Sequence, residues 1–310
     1  MGLTKRELIL LKPEAVTGQV EDLDPATDAV LVEALGIANN GARMVERGVI
    51  KPTMGKEQSL FAGTLKEITF TAEVKGSGAA GTAPEIGAAL RACGLNEEIA
   101  AGLSVTYAPV SAGHESVTIQ LYQDGSLYTL KGCRGNVSFD FTAGGIAKAS
   151  FTLRGHVHEH VDAPFPAASY ASTVPIPLIG LSSLQVGGYG AEINQLTLDL
   201  GNEVVSPASI RSANGFGEVR IANRDPNGQI DPEMTALATK DWEQEWMEGR
   251  ASSIVTGTVG SQPGNIFALN IPKAVWRDVS QGEREQVRTL SLPFGACESA
   301  GDDQFSLVFS

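Results

Sequence analysis

The sequence predicts a mainly β fold arranged as two tandem β-sandwich or barrel-like domains, each with one flanking α-helix. Three observations predict it. Apolar and polar residues alternate at period two along several segments, most plainly Ile68, Phe70, Ala72 and Val74 against Thr69, Thr71, Glu73 and Lys75. That is the pattern of a sheet with one solvated face. The order of elements is then stated twice: a strand, a Gly-rich or Asp-Pro turn, a short helix, several short strands and a final strand rich in aromatics. Lastly, 310 residues with 42% hydrophobic content suffice for two cores of ordinary size. A chain that repeats one β-rich unit reads as a building block before it reads as a catalyst.

Residues 1–28 are mixed and weakly periodic and read as an N-terminal arm. The first domain is expected over 29–165. In it, Ala29 to Gly36 lead to the turn signal Asn39-Asn40-Gly41, and residues 44–61 read as a long loop or mobile hairpin. A strand at 67–75 follows. Next comes a helix at about 83–94, with Thr82 and Glu85 at capping-box spacing, Pro84 in its first turn and Gly94 as its stop. Val117, Ile119 and Leu121 then pair back across Asp124-Gly125 with Leu127 to Leu130. A second hairpin sets Val137, Phe139 and Phe141 against Ala149, Phe151 and Leu153. Residues 166–190, with Pro175-Ile176-Pro177 and Gly187-Gly188, read as an extended inter-domain linker. The second domain, 191–310, opens with Leu196-Thr197-Leu198-Asp199-Leu200. Its loop, 203–216, corresponds in position to 44–61. A short strand at 218–222 precedes a helix expected to start with Asp231 as N-cap and Pro232 at N1, carrying Trp242 and Trp246 one turn apart. Strands at 267–271, 290–294 and 305–309 complete it.

Composition narrows the chemistry. The mean hydropathy is near zero, and no apolar run reaches the roughly 18–20 residues of a membrane span. The short stretch Leu8 to Leu11, ended by Lys12-Pro13, lacks signal-peptide features, so residence in a cytoplasm is expected. Cys93, Cys133 and Cys297 are odd in number and widely spaced, which fits reduced thiols better than disulfides or a zinc cluster. The net charge of −13 offers no basic footprint for gripping nucleic acid. It suits a surface that nucleic acid slides past, because like charges repel phosphate.

Several segments carry possible chemistry. Gly76-Ser77-Gly78-Ala79-Ala80-Gly81 matches G-x-G-x-x-G between a strand and a helix, as a dinucleotide site would. The strand before it alternates, however, where a parallel nucleotide-binding strand is apolar on both faces. A flexible turn is the competing reading. His156, His158 and His160 share one strand face, where two could chelate a metal if a third ligand came from elsewhere. Here the alternative is an exposed strand end. Ser111, His114 and Ser116 lie in loop text without a nucleophile elbow. Cys133 beside Arg134 has one feature of an activated thiol but no histidine in its neighbourhood. Trp242 and Trp246 read as a helix face packed on a sheet ahead of a ligand platform. No catalytic, cofactor or metal residue is assigned. A nucleotide-dependent enzyme using the Gly76–Gly81 turn and a metal-binding β-sandwich adhesin stay as alternatives.

Taken in order along residues 28–310, several segments resemble the major tail tube proteins of long-tailed (siphovirus-like) bacteriophages. They are Gly81-Thr82-Ala83-Pro84-Glu85-Ile86-Gly87, Leu90-Arg91-Ala92-Cys93-Gly94, Thr106-Tyr107-Ala108-Pro109-Val110-Ser111 and Leu130-Lys131-Gly132-Cys133-Arg134-Gly135-Asn136. The second half adds Leu198-Asp199-Leu200-Gly201-Asn202, Asn223-Arg224-Asp225-Pro226-Asn227-Gly228, Gly264-Asn265 and Ile271-Pro272-Lys273-Ala274. The resemblance implies a structural, non-enzymatic protein of the virion tail, assembled in the host cytoplasm. Six tube domains would form each ring, and rings would stack into a hollow tube that conducts the genome. A chain with two such domains would need three copies per ring, a trimer with pseudo-sixfold symmetry; its length departs from single-domain relatives. The resemblance implies an inter-ring contact loop at 44–61 (Arg47, Lys51, Pro52, Met54, Lys56, Glu57) and a second at 203–216 (Val205, Pro207, Ile210, Arg211). The implied partners are further copies of the chain, the tape measure, tail terminator and distal tail proteins, and DNA in transit without sticking. No cofactor and no membrane insertion are implied.

Overall fold

Alternation at period two decides the architecture. The computed structural model describes residues 6–181 and 183–310, and the fold among them is mainly β. The first part of the chain forms β1 (Glu7–Pro13), β2 (Ala29–Val30), β3 (Val32–Asn40), β4 (Met44–Val45), β5 (Leu60–Phe61), β6 (Leu65–Glu73), α1 (Gly87–Ala92), β7 (Leu95–Ala100), β8 (Ser104–Pro109), β9 (Val117–Gln123), β10 (Ser126–Thr142) and β11 (Lys148–Asp162). The second forms β12 (Gln185–Val186), β13 (Ile193–Asp199), β14 (Asn202–Val205), β15 (Arg220–Arg224), β16 (Asn227–Pro232), α2 (Trp242–Met247), β17 (Ala251–Val255), β18 (Phe267–Trp276), β19 (Ser280–Arg284), β20 (Val287–Ala296) and β21 (Ser306–Phe309). Described residues 163–181 carry no strand, only an isolated bridge from Pro177 to Ile146.

Antiparallel pairing links eight strands into a continuous ribbon in the order β3-β6-β11-β10-β13-β16-β20-β19. A second layer runs β2-β1-β9-β10 in the first part and β12-β17-β18-β21-β8-β7 in the second. β10 serves both layers because register shifts between Thr129 and Arg134 bend it, and β20 joins the ribbon to the second layer through its pairing with β18. An extra residue in one strand kinks and twists it, which lets its two ends enter different sheets. The inner faces of the two layers close over a single core. Phe70 and Phe151 stack at 5.0 Å, and Phe141, Phe267 and Phe309 form a chain of rings. That core holds residues from Ile9 to Phe309 in one cluster.

The two expected hairpins form in the expected registers, with Leu130 opposite Ile119 and Val137 opposite Phe151. Within the expected arm, Glu7–Pro13 form β1, whose Ile9 and Leu10 are fully buried. Both helices are shorter than predicted, and both begin later. α1 starts after Ile86 with no side-chain cap. Glu85, expected in a capping box, instead accepts from the Ala171 amide and lies 3.8 Å from Lys75. The second helix does not begin at Pro232. Asp231 and Pro232 end β16, where Asp231 accepts the Asn194 and Gln195 amides at 2.8 and 2.7 Å. Asp241 caps α2 through the Gln244 amide at 2.9 Å. Trp242 packs against Trp276 at 5.8 Å with Trp246 at the core's margin, as a helix face on a sheet.

At β21, Phe309 is buried edge-on to Tyr107 of β8 at 5.9 Å. Phe309→Ala is expected to cost about 3–5 kcal/mol through lost burial and the cavity left behind. A denaturant midpoint unchanged from the parent would show that β8 and β21 do not need this contact.

Candidate assembly surfaces

The outward face of the eight-strand ribbon is polar along its whole width. Each strand points its apolar residues into the core, so the alternate positions carry Thr69, Thr71, Ser138, Ser150, Thr152, Thr197, Gln229 and Ser291. Side chains join across the strands: Lys148 to Glu33 at 2.7 Å over the intervening β6, Thr71 to Ser150 at 3.0 Å, and Gln195 to Asp140 at 3.1 Å. Asn136 to Asp199 at 2.7 Å, Gln229 to Ser291 at 2.8 Å and Arg284 to Asp231 at 2.8 Å continue the ladder. The carboxylates Glu33, Glu67, Glu73, Asp140, Asp199 and Asp231 outnumber Lys148, Arg154 and Arg284 there. Cross-strand hydrogen bonds of this kind hold a smooth, hydrated, weakly acidic wall. Its signal was present in the sequence as Ser, Thr, Asn and Gln at alternate positions of six separate strands.

Both ends of the ribbon are open. β3 pairs with β6 on one side and β19 with β20 on one side, and neither has a second strand partner among the described residues. β3 carries one charged residue, Glu33, in nine. An open edge that long with so little charge is a template for another strand.

Two long hairpins leave one end of the ribbon. The first is closed by β4 and β5, with Met44 opposite Phe61, and its tip spans residues 46–59. Arg47, Pro52, Met54 and Lys56 are exposed there, Lys51 pairs with Glu57 at 2.7 Å, and Lys56 pairs with Glu46 at 3.1 Å. The second is closed by β14 and β15, where Val205 lies opposite Arg220. Beyond it the Pro207 carbonyl accepts the Gly217 amide at 2.7 Å, while Ile210 and Arg211 face solvent. The two hairpins touch at their bases. The Arg43 guanidinium lies 4.0 Å from the Phe216 ring, and Leu65, Phe216 and Val219 form a small core of their own. A Cβ at Gly63 would sit 1.8 Å from the Asn214 carbonyl, so only glycine permits that approach.

The other candidate residues do not converge on a reaction. The Gly76–Gly81 turn is occupied by protein: the Gly76 amide donates to Asn265 Oδ1 at 3.0 Å and the Gly78 amide to the Gly264 carbonyl at 2.8 Å. A Cβ at Gly76 would meet that carbonyl at 2.1 Å, so the glycine serves backbone contact and its amides do not point at a ligand. His156 bonds the Gly217 carbonyl and Asn214, and His160 stacks on Tyr128 at 3.8 Å. No group of His, Cys, Asp and Glu among the described residues could hold a metal. Ser111 donates to Asp302 and His114 meets the Val110 carbonyl, two acceptors that Arg224 ties together, while Ser116 donates to Glu14 in a separate network. Burial, with help from Glu14, pushes the Cys133 thiol up, the reverse of activation by Arg134.

The sequence model of the phage tail tube protein family matches residues 4–296. The chain belongs to that family. It is a structural, non-enzymatic component of the phage tail tube in the virion tail, and tail tube proteins polymerise. No curated protein matches the chain. For a tail tube protein, whose work is assembly, the wall, the open edges and the hairpins are the candidate surfaces.

A buried arginine fastens the second hairpin to the rest of the tail tube subunit. Arg134 bonds Glu218 Oε1 and the Val219 carbonyl at 2.6 Å each, and the Glu115 and His114 carbonyls at 3.0 and 2.7 Å. The Arg134 hydrogen bond is the main cause that holds the Glu218 carboxyl below its ordinary range. A carboxylate whose folded pKa is lowered stabilises fully above its unfolded value, about 4.3, and loses that contribution as pH falls through the folded one. Glu218→Gln is therefore expected to lower Tm at pH 7, with the deficit shrinking as pH approaches 3. A deficit of the same size at both pH values would remove the ion pair as its cause.

Proposed function

We propose that three chains close head to tail into a ring, and that rings stack into a hollow tube whose channel is lined by the outward face of the ribbon. Each chain contributes two tandem tail-tube domains, 29–165 and 191–310, joined by an extended linker at 166–190 and preceded by an arm at 1–28. One observation carries this reading. The ribbon repeats a single four-strand order, β3-β6-β11-β10 and then β13-β16-β20-β19. In each quartet two antiparallel strands separated by a long hairpin come first, and a helix intervenes before the closing hairpin. β3 and β13 each carry a register shift near their start, between Glu33 and Gly36 and between Ile193 and Leu196. Six quartets give a barrel of twenty-four strands. With strands about 4.8 Å apart and tilted about 40°, its backbone diameter is roughly 48 Å, which leaves room for a duplex inside the side chains. The carboxylates on the wall repel phosphate, so DNA would pass without adhering.

The hairpins supply the contact between rings: Arg47, Lys51, Pro52, Met54, Lys56 and Glu57 from the first, Val205, Pro207, Ile210 and Arg211 from the second. Their common origin at one end of the ribbon supports this assignment, as does the exposure of Met54 and Ile210. At its ends the tube would meet tail terminator and distal tail proteins, with the tape measure inside.

Negative-stain microscopy of concentrated protein is expected to show rings or short tubes with a central hole and three chains per ring. Monomers at every concentration, with no polymerisation on adding tail partners, would defeat the reading. Replacing residues 47–57 with a short Gly-Ser turn should leave thermal stability within about 0.5 kcal/mol, as for surface changes generally. Rings should persist while tubes are lost. Tubes of normal length from that variant would exclude the first hairpin from stacking.

A further inference from the structure

We propose that an apolar cavity at the far end of the ribbon is the socket for the first hairpin of a chain in the next ring, with Ile50 and Met54 as the side chains that enter it. The proposal rests on the stacking reading above and names the surface that receives the hairpin. The cavity measures about 310 Å³. Phe141, Leu178, Leu196 and Val259, all buried, form its floor, and Ile179 lines it while 68% exposed. Register places it. The hairpins leave the ribbon where Leu65 opens β6 opposite Asn40. β6 then runs nine residues, roughly 27 Å, to Glu73. Glu73 lies opposite Lys148 of β11, and Lys148 opposite Asp140 of β10. Just beyond, the Ala143 amide donates to the Asn194 carbonyl at 2.7 Å and the Gly144 amide to the Leu178 carbonyl at 2.9 Å. All four residues wall the cavity, so it lies at the end opposite the hairpins. In a stack whose rings all face one way, hairpin end meets cavity end at every level.

The chemistry of the two ends agrees with their positions. Ile50 and Met54 are fully exposed at the hairpin tip, and Val49 beside them is half exposed. Clustered apolar side chains in water mark a contact surface. Size fits as well. A cavity of about 150 Å³ lined by Leu, Ile and Phe admits one benzene, so this one holds two aliphatic side chains. Methionine, unbranched and flexible, adapts to an irregular space of this kind. Charge matches at the rim. Glu192 borders the cavity and Arg47 flanks the tip; both are exposed, and neither has an ion-pair partner among the described residues. The second hairpin offers less, since Ile210 is the only large apolar residue it exposes fully.

A test begins from Cys297→Ser, which removes the exposed native thiol and leaves Cys93 and Cys133 buried. Ile179→Cys is then combined with Met54→Cys or, as the rival, with Ile210→Cys. With Met54→Cys, mild oxidation of assembled tubes should give a ladder that runs past three chains, because each link joins successive rings. The ladder should collapse with reductant and be absent from either single variant. Tubes that give no ladder with Met54→Cys, or give one only with Ile210→Cys, would overturn the socket assignment and leave the stacked rings standing. Absence of rings and tubes in the unmodified protein would overturn both. A charge exchange decides the matter if the cysteine pair itself forms no tubes. Arg47→Glu and Glu192→Arg should each cost tubes while rings persist, and the two together should restore them. Tubes indifferent to Glu192→Arg, or not restored by the pair, would also overturn the assignment.

Discussion

Every backbone N–H and C=O in a strand needs a partner, and the seam between β10 and β13 is where the two halves of the ribbon meet that demand. Ser138 to Thr142 pair with Gln195 to Asp199, and without that pairing both strands would expose an edge. The seam turns two groups of four strands into one ribbon. It also aligns their apolar faces, which is why Phe141 of β10 can pack against Phe267 of β18 in a shared core. A one-residue slip would turn the inward set of either strand to solvent, so the register at this line fixes the sidedness of the whole wall.

The seam does not stand alone. β8 reaches across to β21, Asn202 donates to the Cys93 and Gly135 carbonyls at 2.7 and 3.0 Å, and Asp302 accepts from Ser111 and Arg224. The Gly76 turn presses backbone to backbone on Gly264. These contacts explain why a literal phosphate-loop motif stands where it does. The glycines let two chain segments come closer than any side chain would allow. The β7–β8 hairpin lies between α1 and β9, and nothing equivalent lies between α2 and β17. The internal seam is therefore doubly fastened.

Much of this was legible in the sequence, and the exceptions have physical causes. Alternation located β6, β9, β10 and β11, because a sheet with one wet face writes its period directly into the residues. The exposed hairpin tips were legible as turn-rich text between strands. α2 was misplaced because Asp-Pro is an excellent helix start locally; the Asp231 carboxylate was instead engaged by the amides of β13, a contact made across 36 residues or more. β19 went unseen because Ser280-Gln281-Gly282-Glu283-Arg284 has no apolar residue to alternate. The ribbon order and the two open edges were beyond reach, since strand pairing at long range leaves no local mark.

Carrying both strand quartets on one chain would have a consequence for how the proposed ring closes. Two units on one polypeptide meet at an effective concentration set by their connection, so the internal seam forms without a bimolecular step. In the proposed ring only the outer edges would be left to find one another in solution. Those edges are chemically unlike: β3 is nearly uncharged and partly apolar, and β19 is wholly polar. A strand edge that matched itself would favour face-to-face pairs, which end growth at two copies. Unlike edges favour the heterologous, head-to-tail contact that continues until geometry returns the last chain to the first. In the proposed ring, the difference between β3 and β19 would direct a sticky sheet into closure, and closure would in turn remove the edges that made it sticky.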